Sequence, residues 1–193
     1  MFIESFILAA GSSKRAGKIN KLTKKFIGKP LIEHTLDNYC NAKINRNNVI
    51  TGYERDKIEK ITNKFNIFAI YNKDFKKGLL TSIKLAIENI HENTTGVLIG
   101  LADMPLVKKS DLNKIINRFE SSKEKKICIP ICYKKYGNPI IFPVKKIKLL
   151  NTRITGKAYD AGLKSLIKKE DFVTVNTSKG VLKDFDKISD FYL

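Results

Sequence analysis

A three-layer α/β/α sandwich around a mostly parallel sheet is the fold class that this sequence predicts, and three observations predict it. Short β-rich runs alternate with amphipathic helical stretches from one end to the other, the pattern of a sheet covered on both faces. The run Val97 to Leu101 inside TGVLIGLADMPLV reads as a buried strand. At 193 residues the chain suits one sizeable core and is short for two, so residues 1–193 are read as a single domain.

Each element follows from its local pattern. Phe2 to Leu8 is the first strand, and KPLIEHTLDNY is a helix with Leu31, Ile32, Leu36 and Tyr39 on one face, opened by Pro30 in its first turn. NNVITGY is the next strand. RDKIEKITNKF carries Ile58, Ile61 and Phe65 at helical spacing, and NIFAIY returns as a strand. GLLTSIKLAIENI places Leu79, Ile83, Ala86, Ile87 and Ile90 on one stripe. After the buried strand, Ser110 is the expected N-cap of DLNKIINRF. Three such β-α units wind right-handedly. In the second half KICIPICY, NPIIFP and FVTVNT are short strands and YDAGLKSLIKK is a helix, with neither repeat nor linker. The expectation is a Rossmann-like sheet whose C-terminal third adds a small extra lobe or an antiparallel insertion.

Lys and Arg number 37 against 19 Asp and Glu, a net charge of +18 whose long-range field favours polyanions. The lysines are spread over nearly every segment alongside abundant Asn and Ile, as AT-rich coding also produces, whereas a dedicated nucleic-acid binder concentrates its charge on one face or arm. Cys40, Cys128 and Cys132 form no CxxC, and His34 and His91 are the chain's two imidazoles, which argues against a zinc site or a disulfide framework. Cys128 and Cys132 share one side of a strand and read as buried structural thiols. MFIESFILAAG ends an apolar run in small residues, yet Glu4, a missing basic segment and a short apolar core argue against a signal peptide. No stretch approaches the roughly 18 apolar residues of a membrane span, and a cytoplasmic location is expected.

LAAGSSKRAGKINKL follows the first strand, where open α/β sheets place their ligands. Ala9, Ala10 and Gly11 let a backbone approach a phosphate, Gly17 permits a second tight turn, and Lys14, Arg15, Lys18 and Lys21 offer charge. Five residues separate Gly11 from Gly17, and Ile19 stands where a Walker A loop has the Ser or Thr that holds magnesium; the segment is not GxGxxG either. On its own it is a phosphate site or an ordinary basic turn. If it takes a nucleoside triphosphate, the metal is held elsewhere. Asp103, between an apolar strand and Met104-Pro105, is the candidate ligand, with a turn cap as the alternative role.

These segments, with others at matching intervals, resemble the MobA-like nucleotidyltransferase family and, within it, the molybdenum-cofactor cytidylyltransferase branch. A signature of the form LAAGxSxRMGxxK is matched by Leu8, Ala9, Ala10, Gly11, Ser13, Arg15, Gly17 and Lys21, with Ala16 in the place of methionine. YNKDFKKGLLTSIKLAI is similar to the second element and LADMP to the metal motif. YGNPIIF is similar to a GHP-containing strand, YDAGLKSLI to GDxGARxLL and VLKDFDKISDF to DIDTPED. Asn138 replaces a histidine, Tyr159 a glycine, Leu163 an alanine and Lys164 an arginine.

The resemblance implies transfer of a CMP group from CTP to a phosphorylated acceptor with release of pyrophosphate. It divides the chain into a nucleotide half, about 1–105, and an acceptor half, about 106–193. It implies nucleotide contacts from Leu8, Ala9, Ala10, Gly11, Ser12, Gly78, Ser82 and Ala102, with Arg15 on the β- and γ-phosphates and Lys21 on the α-phosphate. Gly137, Asn138, Pro139 and Asp160 fall to the acceptor. Asp103 is the implied ligand of Mg2+, with Mn2+ as a substitute and Asp160, Asp186 or Asp190 as the second carboxylate, a choice that spacing does not make. The family's guanylyl enzymes read LAGG and its cytidylyl enzymes LAAG, so Ala10 favours CTP over GTP or another NTP. Implied partners are molybdopterin and a recipient molybdoenzyme or its chaperone, with no membrane. Two alternatives stand beside this reading: an NTP transferase acting on a sugar, choline or lactate-type phosphate, and a basic nucleic-acid-binding module, which the core-spaced Phe and Tyr residues disfavour.

Overall fold

The first strand, β1 (Ile3–Ala9), is buried along its whole length, and its side chains divide between two hydrophobic cores. The computed structural model describes residues 1–12, 20–151, 167 and 172–192. β1 pairs in parallel with β4 (Arg46–Thr51) on one side and β6 (Gly96–Leu101) on the other, and β4 pairs in parallel with β5 (Phe68–Tyr71). Between β1 and β4 lie the two-residue strands β2 (Lys25–Phe26) and β3 (Lys29–Pro30), which pair with each other away from the main sheet. The main sheet continues beyond β6 through β9 (Ile140–Pro143), β7 (Ile127–Cys132) and β10 (Phe172–Asn176), with β8 (Lys135–Tyr136) paired to β7. β9 runs antiparallel to both β6 and β7, while β10 is parallel to β7. The expected antiparallel insertion is therefore part of the one main sheet.

Helices cover both faces. Ile3, Ile7 and Ala9 point into a core closed by α1 (Leu31–Cys40), α2 (Arg55–Thr62) and α4 (Lys109–Ser121). Phe6, Leu8 and Ala10 point into a second core closed by α3 (Leu79–Glu88) and α5 (Val144–Asn151). This alternation along β1 is the period-two geometry of a strand with a core on each side. At the amino-terminal edge, the fully buried Glu4 accepts from Asn48 Nδ2 at 3.0 Å, Thr94 Oγ1 at 2.7 Å and the His91 backbone N–H at 2.9 Å. Those bonds satisfy a carboxylate that burial would otherwise penalise. No described helix is long and apolar enough to cross a membrane.

Several local expectations are corrected. α4 begins before Ser110, which lies inside the helix, and the Lys108 backbone N–H bonds to the Asp111 carboxylate at 3.1 Å instead. Asp111 also accepts from the Ser178 backbone N–H and hydroxyl at 2.8 and 2.7 Å, so its buried carboxylate ties the helix start to the chain after β10. Leu79 is exposed, and Leu80 takes its place in the core. Pro30 precedes the first turn of α1; Phe65 and Ile90 lie past the ends of α2 and α3. Cys128 is buried, Cys132 is half-buried and Cys40 is exposed. The helix expected over YDAGLKSLIKK lies outside the described residues, apart from Ile167.

Candidate active site

The in-register parallel pairing brings four strand ends to one edge. Leu8 of β1 pairs with Ile50 of β4 and Leu101 of β6, so the segments after these strands emerge side by side. The Ala102 N–H donates to Leu8 O at 3.1 Å and the Tyr53 N–H to Ala10 O at 3.2 Å. Contact there is so close that a Cβ on Gly52 would lie 2.7 Å from Ala10 Cβ and 2.8 Å from Phe75 Cβ, which only glycine avoids. After β5, the buried Asn72 donates its amide to Thr81 Oγ1 at 2.9 Å and Ser82 Oγ at 3.0 Å, while its Oδ1 accepts from the Asp74 N–H at 2.9 Å. Gly78 then turns the chain into α3 at φ +116°, a left-handed conformation that side chains resist.

These segments surround a cavity of about 700 Å³. Leu8, Ala9, Ala10, Gly11 and Ser12 line it, as do Gly78 and Ser82. Tyr53, Phe75, Lys76 and the exposed Leu79 line it too. Asn72, Gly52 and Tyr53 were not singled out from sequence. Asn72 lies within a segment whose Gly78 and Ser82 were, and the Gly-Tyr pair ending NNVITGY was the available signal for the other two.

At the wall of this cavity Lys21 joins two carboxylates from distant segments. Its Nζ lies 2.5 Å from Asp103 Oδ2 and 2.7 Å from Asp186 Oδ1. Burial alone lowers the Lys21 pKa, but attraction to the two carboxylates outweighs it and holds the ammonium above its ordinary value. For Asp103, burial pushes the carboxyl upward, and Lys21 offsets only part of that because Asp184 and Asp186 add negative charge nearby. The backbone supports both partners: Asn20 Oδ1 accepts from the Leu22 N–H at 3.1 Å, and the Phe185 N–H donates to Asp103 O at 2.9 Å.

One oxygen of the cluster, Asp103 Oδ1, is buried and makes no hydrogen bond among the described residues. A buried carboxylate oxygen without a donor is costly unless something positive completes it. Among the described residues no group of three or more His, Cys, Asp or Glu side chains forms a metal cage. Two carboxylates with an open oxygen nevertheless suit a hard divalent cation that takes its other ligands from water and phosphate. Of the three candidate second carboxylates, Asp186 stands beside Asp103. Asp190 bonds to its own turn, where the Lys183 ammonium and the Lys187 and Asp186 backbone N–H groups, against the opposing pull of burial, lower its carboxyl to about 2. Asp160, with Arg15 and Gly17, lies outside the described residues.

The remaining expected residues stand further off. Ala102 is buried, with its carbonyl accepting from Thr35 Oγ1 at 3.0 Å, and it does not line the cavity. Gly137, Asn138 and Pro139 also lie outside its lining. The Gly137 N–H donates to Pro130 O at 2.8 Å and the Asn138 N–H to Val181 O at 2.9 Å, which ties this segment to β7 and to the turn Lys179–Leu182.

The family model for the MobA-like NTP transferase domain matches residues 5–174. A probable molybdenum cofactor guanylyltransferase of Thermococcus sibiricus is 31% identical over 136 residues, which are 69% of this chain and 64% of that protein. The bifunctional protein GlmU of Staphylococcus haemolyticus is 30% identical over 118 residues, 60% of this chain. The chain spans 26% of that relative's length. The fold matches that of a Mycobacterium tuberculosis protein, Rv0371c, with a TM-score of 0.80 at 21% identity over 100% of this chain and 96% of that one. The manganese complex of Rv0371c matches with a TM-score of 0.77 at 18% identity, over 100% and 96% of the two chains.

Proposed function

The chain belongs to the MobA-like NTP transferase domain family, and from that premise we propose that it transfers CMP from CTP to a phosphorylated small molecule. The observation that carries this reading is the Lys21 ammonium shared by Asp103 and Asp186 on the wall of a 700 Å³ cavity lined by Leu8 to Ser12. In the proposed reaction a phosphate oxygen of the acceptor attacks the α-phosphorus of CTP. The bond from that phosphorus to the bridging oxygen breaks, and pyrophosphate leaves with the electron pair. Charge accumulates on the α-phosphate and the leaving oxygens, so this chemistry calls for positioned positive groups rather than a covalent intermediate.

Lys21 is assigned to the α-phosphate, Arg15 to the β- and γ-phosphates, and the backbone of Ala10, Gly11 and Ser12 to phosphates and base. Asp103 and Asp186 would hold Mg2+, or Mn2+ in its place, which when bound neutralises triphosphate charge; a manganese complex of the structurally similar Mycobacterium protein supports a divalent ion. CTP is the proposed donor because Ala10, in the cavity lining, stands where the family's cytidylyl enzymes carry alanine and its guanylyl enzymes glycine. The guanylyl transfer named for the Thermococcus relative makes GTP the competitor.

A molybdopterin-type phosphate is the proposed acceptor, with sugar, choline or lactate-type phosphates as competitors. The proposal keeps residues 1–193 as one domain, with nucleotide contacts in 1–105 and acceptor contacts, including Gly137, Asn138, Pro139 and Asp160, in 106–193. It also keeps a cytoplasmic setting and a molybdoenzyme or its chaperone as recipient. Membership of a nucleotidyltransferase family disfavours the nucleic-acid-binding alternative. The test is pyrophosphate release with Mg2+, each of four NTPs, and molybdopterin or the competing phosphate monoesters. CTP with molybdopterin should turn over fastest, and Asp103→Ala and Lys21→Ala should each lower the signal by about 100-fold or more; unchanged turnover in both variants would overturn the reading.

A further inference from the structure

Asp186 sits in a short segment between the turns Lys179–Leu182 and Ile188–Tyr192, with no strand of its own to fix it. Two grips hold it. Upstream, the Phe185 N–H donates to the carbonyl of Asp103, the residue whose carboxylate shares Lys21 with Asp186. Downstream, Asp190 Oδ2 accepts from the backbone N–H groups of Asp186 and Lys187, both at 2.8 Å, and Asp190 Oδ1 accepts from Lys183 Nζ at 2.5 Å.

Both oxygens of Asp190 are thus turned inward on residues 183–187, whereas Asp186 Oδ1 meets the Lys21 ammonium. The same turn is anchored by Phe191, whose ring centroid is 5.5 Å from that of Phe185 and 6.3 Å from that of Phe26, and Phe26 to Phe185 is 4.9 Å. Phe26 belongs to the short strand that follows Lys21. The aromatic cluster therefore ties the segment bearing Asp186 to the segment bearing Lys21.

We propose that Asp190 is a positioning residue for the metal site: it contacts neither metal nor nucleotide, and it sets the backbone from which the Asp186 carboxylate reaches the position beside Asp103. The inference rests on the reading of Asp103 and Asp186 as the metal pair. A carboxylate that grips two consecutive N–H groups removes the torsional freedom that would otherwise spread Asp186 over several positions, and partners of this kind commonly govern metal affinity as much as the ligands do.

The test measures Mn2+ affinity by electron paramagnetic resonance in the presence of a non-hydrolysable CTP analogue, with thermal melts run alongside, for the wild type, Asp186→Asn, Asp190→Ala and Asp190→Asn. Asp186→Asn should weaken Mn2+ by about tenfold or more, and Asp190→Ala by about tenfold while still folded at the assay temperature. Asp190→Asn keeps an oxygen for the two N–H groups and should stay closer to the wild type than to Asp190→Ala. A purely structural role predicts a lower melting temperature for Asp190→Ala with unchanged Mn2+ affinity, and that result overturns the inference. Equal losses in Asp190→Asn and Asp186→Asn would make Asp190 a ligand and overturn it as well. If the wild type binds no Mn2+ that Asp186→Asn weakens, the metal-pair reading itself falls and takes the inference with it.

Discussion

Asp103 and Asp186 meet at one ammonium, but the chain delivers them by different means. Asp103 leaves β6, a strand paired on both sides, two residues after Leu101. Its position follows from a ladder of backbone bonds and from neighbours buried in two cores. Asp186 comes from a segment without strand pairing, located by side chains: Phe185 in an aromatic cluster and Asp190 on the turn. A position set by a sheet is shared among many bonds, so single substitutions move it little. A position set by a few side chains depends on each of them.

Truncating the aromatic anchor should have the largest effect. Phe185 is fully buried, and Phe185→Ala should cost about 3–5 kcal/mol, read from urea denaturation. Turnover at a temperature where the variant is folded should fall too, because Asp186 loses one grip; full activity in a destabilised variant would break the comparison. Next comes Lys21, on which both carboxylates depend. Lys21→Ala should remove about 2.7–4 kcal/mol of transition-state stabilisation, measured as kcat for pyrophosphate release. Lys21→Met should also bind Mn2+ more tightly than the wild type when no nucleotide is present, because Asp103 and Asp186 then face each other without their ammonium.

A smaller effect belongs to the sheet-held side. Gly52→Ala forces a methyl against Ala10 and Phe75, where each nearest atom is under 3.0 Å. The expected cost is about 1–3 kcal/mol, read from a thermal melt. Its functional mark should be a raised KM for CTP with little change in Mn2+ affinity, since Gly52 touches the first loop and not the carboxylates. Loss of Mn2+ binding in this variant would mean that the two regions are coupled more tightly than their separate supports suggest.

The same contrast accounts for what could be read from sequence. β1, β4, β6, α1 and α2 were legible because each carries buried apolar residues at its own spacing, and β5 because FAIY is rich in strand formers although it lies largely exposed at the sheet edge. Lys21 and Asp103 were legible because each lies in a recognisable short pattern that follows a strand. Residues whose role is set by packing alone were harder to see. Leu79 and Leu80 are adjacent and equally apolar, and only the approach of α3 to the sheet decides which one is buried. β2 and β3 are two residues each, and α5 carries Lys145, Lys146 and Lys148, so neither shows a long apolar period. Ser110 has the chemistry of a cap, but the helix starts before it, at a Lys108 N–H held by the buried Asp111 carboxylate, which Ser178 also binds from across the fold. The choice of Asp186 over Asp190 has the same character. Both are aspartates of one short segment, and the difference lies in which one the turn directs toward a lysine 165 residues away in sequence.

The smallest predicted effect concerns the far side of the sheet, where β7 lies between β9 and β10. Burial pushes the Cys128 thiol up to about 12, with Arg118 offsetting it slightly. Cys40, at the exposed end of α1, is raised by burial and by Asp37, yet it remains open to solvent. The thiolate is the reactive form, so a raised pKa and burial act in the same direction to protect Cys128. With a thiol reagent at about pH 8, Cys40 should label first, and Cys128 only at the rate of global unfolding measured from urea dependence. Raising the pH should speed Cys40 and leave Cys128 tied to unfolding, because reagent access rather than ionisation limits it. Labelling of Cys128 faster than global unfolding would show that β7 and β10 open independently. The proposed acceptor side would then share the looser hold found at Asp186, and the firm support of Asp103 would be confined to the parallel strands around β1.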